Sequence, residues 1–193
     1  MEGSLLVLQS VVTKETMIMT EDKSIDQLLE STAEVEVETN TTNPVIELLK
    51  QSLNIHWEQT LALTAQAEHL DRWGYKKLAA TIKEDAKQEH EHASVNLQRL
   101  EFFDADAQPI TVTPPVWQRH DVVAMIQYNL VSVRKAADAE RQTILAARST
   151  GDEITANIMI PLLKGSEDGI ILYTSFLKLI EQMGLDNFLS IQV

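Results

Sequence analysis

The chain has 193 residues, 44% hydrophobic and 23% charged, with no cysteine and a net charge of −13. That length supports one domain with a substantial core, and the lack of thiols excludes disulfides and zinc–thiolate sites and suits a reducing, cytoplasmic setting. The acidic balance disfavours nucleic acid as a partner, and no apolar run is long enough to span a bilayer.

Residues 1–43 hold nine acids against Lys14 and Lys23, a local charge of −7. "AEVEVETNTT" alternates like a short strand, and the apolar opening "MEGSLLVLQSVV" lacks the basic leader and small-residue cleavage site of a signal peptide. We read 1–43 as an acidic extension and 44–193 as the folded domain. Asn43–Pro44 supplies a helix cap followed by proline at the first turn. Ile46, Leu49, Leu53, His56, Thr60, Leu63, Ala67 and Leu70 then recur every three or four residues, which predicts a long bundle helix ending in the turn "DRWGY" at 71–75.

A second helix is expected from about Lys76 to Phe103, with its stripe at Ile82, Ala86, Glu89, Ala93, Leu97 and Leu100. "DADAQPITVTPP" follows, too long for a tight helical hairpin. Thr113 and Pro114 mark the opening of a third helix, from about Pro115 to Ser149, with a stripe that includes Val133 and Glu140 and a stop at Gly151. A fourth, from about Asp152 to Met183, contains Pro161 and Gly165 and stops at Gly184; "LDNFLSIQV" forms a short fifth helix or tail. Short joints after the first and third helices and a long one between the pairs predict an all-α four-helix bundle with one long crossover.

"QEHEHA" at 88–93 is the polar stretch that bears on chemistry. Glu89 and His92, three apart, project from nearly one face, and Glu89 sits in the centre of its apolar stripe. His56 falls midway along the stripe of the first helix. A carboxylate and two histidines in a core are costly to desolvate unless hydrogen-bonded or bound to a cation. We therefore take His56, Glu89 and His92 as candidate ligands for iron or another divalent metal, against the plainer alternative of hydrogen-bonded core residues. His90 and Glu91 turn away from that stripe.

"RWGYKKL" at 72–78, "EHEH" at 89–92, the crossover length and "QMGLDNFL" at 182–189 together resemble the bacterioferritins, within the wider ferritin-like group. The resemblance spans residues 45–193. It implies a shell of up to 24 subunits storing iron, with a di-iron oxidising centre built from a Glu on each of two helices and a Glu-x-x-His on each of the other two. Glu89 and His92 match one such pair. His56 stands at the first helix's glutamate, Val133 at the third helix's, and Ser166 and Gly169 where the fourth helix's pair belongs.

Glu140, two turns beyond Val133, is about 10 Å further along its helix, too far to share one centre, and is expected to hydrogen-bond within the core, with Asn96 as candidate partner. With these ligands missing, ferroxidase activity is expected to be weak or absent. His90 stands where the family carries an interfacial haem-binding methionine, so haem is a secondary cofactor reading. Two functions follow: a subunit of an iron-storage shell, relying on a ferroxidase-competent sister subunit, or a non-storage metal-binding or scaffold protein that assembles no further than a dimer.

Overall fold

The computed structural model describes residues 43–107 and 121–193; the expected acidic extension, up to residue 42, and residues 108–120 lie outside the described residues. Helix α1 spans Pro44–Arg72, with the Asn43 side chain accepting from the Val45 amide at 3.0 Å. Gly74, at φ 94°, makes the turn into α2, Lys76–Phe102. Helix α3 spans Val122–Ser149 and α4 spans Glu153–Met183, running through Pro161 without a break. Gly184, at φ 79°, ends α4, and α5, Leu185–Ser190, buries Phe188 against the bundle.

The start of α3 differs from the expectation. Asp121 takes a non-helical conformation and caps the helix by accepting from the Ala124 amide at 2.9 Å, so the helix begins at Val122 rather than near Pro115. A carboxylate able to satisfy an orphan amide sets this boundary, and the expected opening at Thr113–Pro114 lies outside the described residues.

The chain is an all-α four-helix bundle with a short C-terminal helix. Helix α1 packs along α2, α3 packs along α4, α1 also faces α3, and α2 and α4 touch only sparsely. Reciprocal amide bonds of 2.9 and 2.7 Å between Gln66 and Asn129 lock α1 against α3. Their pairing, with His56 opposite Glu140, makes those two helices antiparallel. The chain therefore leaves α2 at one end of the bundle and enters α3 at the other.

Two apolar clusters fill the interior. One gathers Leu63, Leu70, Ile82, Ile126, Val133 and Tyr173; the other gathers Leu49, Leu53, Ala93, Leu100, Ile144 and Met159. Between them lies a polar layer. On α1 His56 separates Leu53 from Leu63, on α2 Glu89 separates Ala86 from Ala93, on α3 Glu140 separates Val133 from Ile144, and on α4 Ser166 separates Leu162 from Tyr173. A bundle core gains nothing in burial energy from such a layer, so its residues need another explanation.

Candidate metal centre

His56 is wholly buried, and each of its ring nitrogens faces a different carboxylate. Nδ1 lies 2.6 Å from Glu89 Oε2, a hydrogen bond, while Nε2 lies 3.4 Å from Glu140 Oε1, an ion-pair distance without hydrogen-bond geometry. Glu140 Oε1 accepts from Ser166 Oγ at 3.1 Å. The part-buried His92 ring stands edge-on to His56, with centroids 5.2 Å apart and planes at 76°. One ligand atom from each of His56, His92 and Glu140 lies within 4.8 Å of the others.

Each of these three side chains keeps a buried polar atom without a hydrogen-bond partner: His56 Nε2, His92 Nδ1 and Glu140 Oε2. Such atoms are rare in a folded core because each carries the full cost of desolvation. Two imidazoles and a carboxylate brought this close form a donor set that suits zinc or ferrous iron.

The electrostatics set what a cation would have to displace. Burial opposes a charge on His56, but Glu140 and Glu89 outweigh it and raise its pKa to about 9. Without a metal the ring is therefore an imidazolium at neutral pH. Burial holds His92 below its ordinary value, with the neighbouring His56 adding to that effect, so this ring is neutral and keeps a lone pair. A divalent ion bound here would take over the role that proton plays.

The geometry brings His56, Glu89 and His92 together but gives them unequal parts. Glu89 engages the other nitrogen of His56 from the one that faces Glu140, so it orients the ring rather than meeting the three converging atoms. A carboxylate on the non-ligating nitrogen of a histidine fixes its tautomer and raises its basicity.

Glu140 corrects the expectation. It is neither remote nor bonded to Asn96, whose Nδ2 donates to the His92 carbonyl at 2.9 Å. Distance along α3 misled, because what places Glu140 is the register of α3 against α1, and Gln66–Asn129 sets that register. Ser166, expected to contribute nothing, supplies the hydroxyl that holds Glu140.

His90, the haem candidate, lies elsewhere, as do Glu91, Glu167 and Val133. His90 is exposed, packs edge-on against Trp57 with centroids 5.2 Å apart, and lines a groove of about 520 Å³ between α1 and α2 with Thr60, Lys83 and Lys87. Glu91 is exposed, and Glu167 pairs with Arg141 at 2.8 Å on the surface. Val133 belongs to an apolar cluster and faces Gly169, where an added Cβ would sit 3.0 Å from Val133 Cγ2.

Thus, among the described residues, the α3–α4 half offers Glu140 and no second ligand set where the resemblance would place one. Further down the core, Tyr173 donates to Asp85, whose pKa burial lifts to about 6. Burial and the neighbouring Asp85 raise Tyr173 well above its ordinary value.

Comparison with known proteins agrees with this architecture. The ferritin-like domain family matches residues 46–183. A protein named bacterial ferritin, from Synechocystis sp., is 25% identical over 122 residues, which cover 63% of this chain and 78% of that protein. Among the described residues no helix is long and apolar enough to cross a membrane.

Proposed function

The chain belongs to the ferritin-like domain family, and from that premise we propose that it is a subunit of a cytoplasmic iron-storage shell. In this reading its bundle holds one divalent cation and has weak or absent ferroxidase activity. What supports the single-cation reading is that one ligand atom from each of His56, His92 and Glu140 lies within 4.8 Å of the others, while each side chain keeps a buried polar atom without a hydrogen-bond partner. Glu89 orients His56, and Ser166 orients Glu140.

The weak activity follows from the donor count. A bridged pair of irons needs several carboxylates to neutralise two cations and hold them apart. Here Val133 and Gly169 stand where two of the family's ligands would, and neither side chain can coordinate a metal. Ferrous iron given to the shell is then cargo, oxidised by a ferroxidase-competent sister subunit. Haem enters only as a secondary reading, in which the exposed His90 imidazole beside Lys83 and Lys87 would supply the ligand and the groove its place.

The test is aerobic addition of ferrous iron to the purified protein with oxygen consumption followed. We expect a rate close to that of buffer, and a particle of shell size by light scattering. Turnover like that of an intact ferritin would overturn the weak-ferroxidase reading, and a particle no larger than a dimer would favour the non-storage metal-binding alternative.

A further inference from the structure

Helix α4 carries two glycines beside the polar layer, and they are not equivalent. A Cβ built on Gly169 would press on the apolar Val133. One built on Gly165 would sit 2.8 Å from His92 Cε1, closer than real Cβ atoms approach, and a tight 3.1 Å from His92 Nε2, so the ring would have to shift. The His92 imidazole therefore occupies the volume that any other residue at 165 would fill. Its Cε1–Nε2 edge lies against the α4 backbone, and its Nδ1 is the buried, unpartnered atom.

We infer that Gly165 is a positioning residue: the space it leaves holds the His92 ring so that Nδ1, rather than Nε2, faces the cation. The inference rests on the single-cation reading of His56, His92 and Glu140 and assigns the ligand atoms within it. His56 binds through Nε2, because Glu89 takes its Nδ1; His92 binds through Nδ1, because α4 takes the opposite edge. Nothing in α2 alone imposes this choice, since a helical histidine can swing either nitrogen inward. It is α4, approaching within a glycine's reach, that leaves room for the ring in the orientation seen.

The experiment is a titration with Co²⁺, whose visible absorption reports ligand number, on the full-length protein and on Gly165→Ala and Gly169→Ala. Both variants add one methyl group to the same helix at a crowded point and favour helix equally, so a merely structural effect moves them together. Gly165→Ala is expected to lose tenfold or more in Co²⁺ affinity, the scale on which residues supporting a metal ligand act. Gly169→Ala is expected to bind like the parent. A ¹⁵N spectrum of the zinc-loaded parent is expected to show His92 ligated at Nδ1.

Equal affinity in Gly165→Ala and the parent would overturn the inference, as would ligation of His92 through Nε2 or equal losses in both variants. A parent that binds no Co²⁺ would instead sink the single-cation reading and this inference with it. The two failures are therefore distinct.

Discussion

Replacing His56 by leucine is expected to destabilise the metal-free protein by about 3–5 kcal/mol, the usual cost of removing one partner from a buried ionic group. The imidazolium has Glu89 at 2.6 Å and Glu140 at 3.4 Å, and all three side chains are buried. Leucine fills the volume but leaves two carboxylates facing each other across an apolar side chain, with Ser166 the one hydrogen-bond donor that the geometry gives Glu140. The loss comes from stranded charge and not from a cavity.

A triple replacement, His56→Leu, Glu89→Leu and Glu140→Leu, is expected to recover most of that loss, because removing every member of a buried ionic set is often neutral or stabilising. Urea unfolding of the metal-stripped proteins at one fixed subunit concentration, since assembly adds its own stabilisation, checks both values. If the single variant matched the parent, the layer would hold no charge. If the triple variant were as unstable as the single one, the layer would be serving stability alone.

The second large effect is on pH. The folded pKa of His56, about 9, lies above its ordinary 6.5. The folded state therefore holds this proton more tightly than the unfolded chain does. Its contribution is complete below pH 6.5, declines as pH rises, and is gone once pH passes about 9. Each pH unit between those two values is worth about 1.4 kcal/mol, so the metal-free protein should lose about 3 kcal/mol of stability across that window.

Asp85, raised to about 6 by burial, changes stability in the same direction but at lower pH, as the solution passes from its ordinary 3.8 toward 6. His92, held below its ordinary value, acts in the opposite direction and below pH 6.5. The decline between 6.5 and 9 therefore belongs to His56, and His56→Leu should flatten it. A bound cation competes with the same proton, so metal affinity should rise with pH through this range and binding should release a proton. Thermal unfolding at successive pH values, with and without zinc, reads both effects.

How much of this could be read from the chain depends on what kind of information each residue needs. The helices and their stops are local: Asn43–Pro44, Gly74, Gly151 and Gly184 punctuate the chain as their backbone preferences require. His56 and Glu89 were legible for a similar reason, because a polar residue inside a period of three and four is visible in one helix at a time. The start of the fourth helix near Asp152 was equally plain, although the role of Asp152 as its cap emerges only in the structure.

Glu140 was not legible. Its distance from Val133 within α3 is fixed by the sequence, but its distance from His56 depends on how α3 slides along α1. Two amide side chains, Gln66 and Asn129, carry that information, and their pairing is non-local. Buried Ser52, Gln59 and Gln66 likewise fall between the apolar positions of the α1 stripe and form no part of the expected one. The role of Gly165 is beyond any one-helix reading, because it consists of what α4 leaves open for a side chain of α2. The start of α3 shows a different lesson, because the proline signal alone draws the expected boundary, whereas the backbone uses the Asp121 cap.

Whether a single cation belongs among His56, His92 and Glu140 can be read directly from crystals grown with zinc and measured at the zinc absorption edge. One anomalous peak per chain is expected inside the bundle, about 2.0–2.2 Å from His56 Nε2, His92 Nδ1 and a Glu140 oxygen, with Glu89 still on His56 Nδ1. An interior without a peak, or a pair of peaks centred beside Val133 and Gly169, would contradict it.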